Sequence, residues 1–219
     1  VYLWQTSLPA RDEGALVMSL GMIPAVLFGE TELPPYLYLV PGWLSVFTAM
    51  FLHGGWMHLI GNMLYLWIFG NNVEDAMGHG RFLLFYLLCG AAAGLTQSFI
   101  SPDSTVPMIG ASGAIAGVLG AYLMLYPRAN VRVLLVILIY IRLLNVPAVI
   151  VLGLWFALQV LSGWNSPVED GGVAVWAHIG GFAAGMVLIP LFKDRDVPLF
   201  AAARSPSFQV TTATRGPWG

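Results

Sequence analysis

Five apolar runs, each close to the length that crosses a bilayer, dominate the chain from residue 56 to residue 192. A spanning helix needs about 20 mainly apolar residues. Runs of that kind, bounded by charge, Gly or Pro, cover 56–74, 82–100, 111–126, 146–163 and 173–192. They predict an all-α fold, a polytopic membrane helix bundle. Composition points the same way: 58% of the residues are hydrophobic and 9% charged, with a mean hydropathy of +0.78, whereas a soluble domain carries roughly 25% charged residues. Nine Lys and Arg with eleven Asp and Glu cannot coat a water-soluble globule of 219 residues. Two shorter apolar stretches, 15–29 and 133–141, read as interfacial or re-entrant pieces.

Charge and sulfur exclude further classes. A net charge of −2 leaves no basic footprint for nucleic acid. Cys89 stands alone, so neither an intrachain disulfide nor a Cys-based zinc or iron–sulfur site can form. The H-E-x-x-H pattern of zinc proteases is absent, no carboxylate joins His53, His58 and His178 within a span, and no metal or cofactor is expected.

The expected organisation is one membrane domain over 1–192, with 1–8 as the end of a first span whose beginning precedes Val1 and 9–55 as an outer loop. Residues 193–219 form a cytoplasmic tail, disordered where Ser, Thr, Ala and Pro dominate without periodicity. Cytoplasmic loops retain Lys and Arg. If the 56–74 span begins outside, Arg81, Arg128, Arg132, Arg142, Lys193, Arg195, Arg204 and Arg215 lie inside, while Asp103, Glu169 and Asp170 lie outside. A bacterial plasma membrane suits this asymmetry.

Polar side chains inside spans are expensive and mark function by default. Here they gather at outer ends: His58 and Asn62 in the 56–74 run, Ser112 at the start of the next but one, and His178 at the start of the last. His58 and Asn62 are spaced i, i+4 and share a helix face, with Gly61 keeping that surface low. Gly113 and Gly117, then Ala177, Gly181 and Gly185, form small-xxx-small rows that let helix backbones approach in lipid. Packing the two rows together brings the Ser112 hydroxyl beside the His178 ring, a nucleophile beside a base. Sixteen residues separate Ser112 from Arg128, about 24 Å of helix against a hydrocarbon core of about 30 Å. Ser112 is therefore expected below the surface, reached by a loop over 101–109 that dips beside a water-filled cavity.

The run Gly110-Ala111-Ser112-Gly113, the run from His53 through His58 to Asn62, and Ala177-His178-Ile179-Gly180-Gly181 with Gly185 together resemble the rhomboid intramembrane serine proteases. The acidic turn from Glu74 to Phe82 is similar as well, and the likeness covers roughly 43–192. The resemblance implies a rhomboid-like bundle of six helices and a Ser–His dyad. In it Ser112 is the nucleophile, His178 the base and later acid, and His58, Asn62 and the Ser112 N–H the oxyanion donors. The chain departs from the family's pattern at Leu44, where many members carry Arg after the Trp, and at Ala116, where some carry a Tyr that stacks on the catalytic His. Trp176 or a neighbouring aromatic is the expected substitute support. No Asp sits inside a span to make a triad, and a dyad fits that absence. Trp56, Trp67, Trp155, Trp164 and Trp176 read as interface or lipid-facing aromatics. His53 reads as orienting the outer loop and His79 as part of the inner turn.

The function implied is an endopeptidase acting within the lipid bilayer on single-span membrane proteins. The alternative is a catalytically inactive relative that binds or escorts membrane-protein clients. A small transporter is a weaker reading, because its polar groups belong near the midplane.

Overall fold

The computed structural model describes residues 1–137, 140–165 and 174–201. The first residue of the last expected span, the acidic pair Glu169 and Asp170, Arg204, Arg215 and the tail after residue 201 lie outside the described residues. Short helices α1 (Tyr2–Gln5), α2 (Ala10–Leu20), α3 (Pro24–Leu27) and α4 (Gly42–Thr48) precede α5 (Trp56–Tyr65). A π-helical turn, Leu66–Gly70, carries α5 directly into α6 (Asn71–Asp75). Then come α7 (His79–Ile100), α8 (Ser112–Leu125), strands β1 (Asn130–Ile137) and β2 (Tyr140–Pro147), α9 (Ala148–Asn165) and α10 (Val175–Phe192).

Among the described residues, α7 and α10 are by themselves long and apolar enough to cross a membrane, each with a mean hydropathy of 1.7 over its best window. The stretch Trp56–Asp75 is as continuous as the apolar run in the sequence, and it meets the preceding Pro35–Phe51 segment at a bend of 83°. Helix α8 has only 14 residues, about 21 Å of rise. Eleven of those 14 are buried, so α8 is the central helix, enclosed by its neighbours rather than by lipid.

What allows that enclosure is the near absence of side chain along the α8–α10 seam. A Cβ on Gly117 would fall 3.1 Å from the Gly181 carbonyl oxygen and 2.6 Å from Cys89 Sγ on α7. Cβ atoms on Gly181 and Gly185 would press into the carbonyls of Gly113 and Gly117. In lipid the attraction between helices is van der Waals contact, and bare backbones maximise it. Below this seam Phe69, Phe85, Leu119, Leu125, Leu152 and Ile189 fill the core. Large apolar side chains such as Trp67, Leu83, Phe99, Leu154 and Leu191 are turned outward, as the surface of a protein solvated by acyl chains requires.

Three segments take local forms that their apolar runs do not specify. Residues 133–137 and 140–141 belong to the two strands of an antiparallel hairpin that pairs Asn130 with Pro147 through to Ile137 with Tyr140. Val131, Val133, Val136 and Ile137 are β-branched, and two paired strands satisfy their backbone groups where nine residues of helix could not cross. Residues 15–29 divide between α2 and α3, with Met22 pairing across to Met108. The first eight residues hold the four-residue helix α1, whose Gln5 is buried against the loop before α5.

Candidate active site

Ser112 opens α8, and the backbone just before it explains why it can. Gly110 adopts φ +120°, a conformation that side chains resist, and donates its N–H to Ala49 O at 2.9 Å. Together with the Met22–Met108 bridge, this ties the 101–111 loop to the outer segment and delivers Ser112 half-buried at the head of the central helix. The first-turn N–H groups of any helix lack intrahelical partners and favour negative charge. His178 sits in the first turn of α10, 8% exposed. With the glycine rows in contact, Ser112 Oγ and His178 Nε2 are 2.9 Å apart.

The other ring nitrogen is engaged as well. His178 Nδ1 lies 2.9 Å from Gln159 Oε1 on α9. An amide oxygen only accepts, so Nδ1 carries the proton and Nε2 presents its lone pair to the serine hydroxyl. One turn earlier on α9, Trp155 packs its ring against the imidazole, with centroids 5.9 Å apart and planes at 41°. The aromatic support expected from Trp176 or a neighbour is therefore supplied by Trp155. It also packs on Phe182 and so is not simply a lipid-facing anchor.

His58 and Asn62 face the same space from α5. The Gly54 N–H donates to His58 Nδ1 at 3.3 Å, which leaves the proton on Nε2 as a free donor. Asn62 is 7% exposed, and its Nδ2 has no hydrogen-bond partner among the described residues. Gly110 makes room for the His58 ring: a Cβ there would lie 2.6 Å from Cε1 and 2.7 Å from Nε2. Behind His58, the His53 ring packs edge-on at 5.2 Å. The His53 backbone is clasped at both ends by Gln5, whose Nε2–H donates to His53 O at 2.7 Å and whose Oε1 accepts the His53 N–H at 3.2 Å. His79 lies apart from this cluster, at the start of α7, paired with Glu74 on α6.

A cavity of about 780 Å³ connects these groups. His58, Asn62 and Tyr65 line it from α5, Ser112, Ala116 and Leu119 from α8, Trp155 from α9 and His178 from α10. Ala116 lines this cavity with a methyl group too small to stack on the His178 ring. A hydroxyl 2.9 Å from a neutral imidazole nitrogen can give up its proton as it attacks a carbonyl, and donors across the cavity can receive the oxygen charge that results. Sequence reasoning brought Ser112, His178, His58 and Asn62 together but missed Gln159, Trp155 and Gln5. Gln159 carried a signal: it is the only amide, hydroxyl or charged side chain from Ala148 to Leu161.

The model of the Rhomboid domain matches residues 41–195. Among curated proteins, Rhomboid protease GluP of Bacillus subtilis is 36% identical over 145 residues, 65% of this chain and 25% of its own length. Rhomboid-like protein 11, chloroplastic, of Arabidopsis thaliana is 29% identical over 196 residues, 83% of this chain and 68% of its own. Rhomboid protein 1, mitochondrial, of Saccharomyces cerevisiae is 30% identical over 190 residues, 78% of this chain and 51% of its own. The chain thus spans a quarter to two thirds of the length of these relatives, whose names point to more than one compartment. A domain match that runs from the start of α4 to the end of α10 and takes in the whole glycine seam leaves one assignment: the chain belongs to the rhomboid family of integral membrane proteins.

Proposed function

We propose that the chain is an intramembrane serine endopeptidase that cleaves transmembrane or juxtamembrane segments of single-span proteins without a cofactor. The observation that carries this reading is the 2.9 Å contact between Ser112 Oγ and the unprotonated His178 Nε2, facing two donors, on His58 and Asn62, without hydrogen-bond partners among the described residues. Ser112 Oγ attacks the scissile carbonyl carbon while His178 takes its proton. The tetrahedral intermediate's oxyanion accepts hydrogen bonds from His58 Nε2–H, Asn62 Nδ2–H and the Ser112 backbone N–H. Collapse expels the amine, which receives the proton from His178, and leaves an acyl-enzyme on Ser112. Water, deprotonated by the same imidazole, releases the new carboxylate.

The substrate segment has to unwind before its carbonyl can reach Ser112, so helix-destabilising and small residues near the cut are the expected preference. Access runs between α5 and α9, which flank the cavity, and involves outward motion of α9. That helix turns Leu154, Leu158 and Leu161 away from the bundle, while Leu152, Trp155 and Phe156 hold it to the core.

The test is cleavage of a model single-span substrate in liposomes, with a fluorophosphonate probe for the serine, comparing the parent with Ser112→Ala and His178→Ala. Cleavage and labelling by the parent alone is the expected result. A folded parent that binds the substrate but neither cuts nor labels would instead mark a client-binding member of the family.

A further inference from the structure

The proposed reaction uses Nε2 of His178, and the opposite nitrogen is not left to the cavity. Nδ1 meets Gln159 Oε1 at 2.9 Å, while Trp155, four residues earlier on the same face of α9, lies against the ring at 5.9 Å. The rest of that helix is apolar as far as Leu161. An amide set in such an apolar stretch is costly to bury unless it finds a partner, and this one finds the His178 ring. We propose that Gln159 is the positioning residue of the catalytic histidine. It holds the proton on Nδ1, fixes the ring's rotation, and supports the imidazolium that forms when Ser112 attacks.

The assignment rests on the protease reading above and goes beyond it. Serine hydrolases built in water give this task to a buried carboxylate. In a bilayer an unpaired carboxylate is expensive, and a neutral amide oxygen supplies the same directional acceptor without a charge. Ser112 and His178 stand on α8 and α10, whose backbones are in contact, whereas Gln159 and Trp155 stand on α9. Orientation of the base therefore depends on α9 being docked, and a displaced α9 leaves Nδ1–H without its acceptor.

The experiment compares the parent with Gln159→Met, which keeps the side-chain volume but has no carbonyl acceptor, and Gln159→Glu, which keeps an acceptor at the same reach. Fluorophosphonate labelling of Ser112 reads the dyad without a peptide substrate, and cleavage in liposomes separates kcat from KM. Loss of one hydrogen bond predicts labelling about 5- to 20-fold slower in Gln159→Met, with kcat lowered to match and KM unchanged. Gln159→Glu should recover to within about threefold of the parent, which also shows that the site tolerates exchange without unfolding. Parental labelling by Gln159→Met, a change confined to KM, or no recovery in Gln159→Glu overturns the role. A parent that does not label at Ser112 overturns the dyad itself, and the role of Gln159 with it.

Discussion

Replacing Gly181 by Ala tests whether the bare helix seam sets the chemistry. A Cβ at Gly181 would lie 3.0 Å from the Gly113 carbonyl carbon and 3.2 Å from Ala93 Cβ, against ordinary carbon–carbon contacts of about 3.5–4.0 Å. The Gly113 carbonyl oxygen is closer still, so helix α10 must retreat from α8 by about 1 Å or more. Gly181 is three residues past His178, about 4.5 Å along the axis, so the imidazole retreats with it. The Ser112–His178 separation of 2.9 Å then lengthens to about 3.9 Å or more, beyond the limit of a useful hydrogen bond. Overpacking should cost about 1–3 kcal/mol of stability, and misplacement on the order of 1 Å should lower activity about 100-fold. The assay is the rate of fluorophosphonate labelling in liposomes, beside thermal unfolding of the same preparation. Gly153→Ala is the reference, because nothing lies within 4 Å of a Cβ at that position on α9. It should raise stability by about 0.5–1 kcal/mol and leave labelling unchanged. Gly181→Ala labelling at the parental rate would refute the reasoning, as would a loss of rate fully accounted for by a smaller folded fraction.

Other outcomes follow from the same geometry. Asn62→Ala should slow cleavage by about 100- to 1,000-fold, the usual effect of removing one oxyanion donor; a change of less than threefold would remove Asn62 from that role. Gln5→Leu strands the buried N–H and C=O of His53 and should cost about 1–3 kcal/mol, read as a lowered unfolding midpoint in detergent; an unchanged midpoint would mean that the clasp is dispensable. A disulfide or bifunctional cross-link joining α5 to α9 should abolish cleavage of a spanning substrate while small probes still label Ser112, and undiminished cleavage would count against access by that route.

Much of the bundle was legible along the chain because hydropathy is a property of each residue's transfer into lipid. The run over 56–74 became α5 through α6, and that over 82–100 became α7. The contact between Ser112 and His178 was legible for a related reason. Ser112 and His178 each sit at the head of a helix whose next two turns carry small residues, and such rows have few ways to pack. The hairpin at 130–147 was not legible, because a short apolar stretch has the same composition whether it lies in an interface or pairs with a neighbouring strand.

Gln159, Trp155 and Gln5 mark where sequence reasoning stopped. The spacing of Trp155 and Gln159 places them on one face of α9, yet nothing in that spacing says that the face meets His178 rather than lipid. That was decided by how α9 is rotated and which neighbour it packs against. Gln5 and His53 are 48 residues apart, and no local periodicity links them. By itself the sequence determined that this chain inhabits a bilayer and which polar groups it keeps there, because burial of each residue carries its own free energy. Only the tertiary structure decided which groups meet the His178 ring, because a hydrogen bond across helices depends on positions to within a few tenths of an ångström, set by the packing of all of them together.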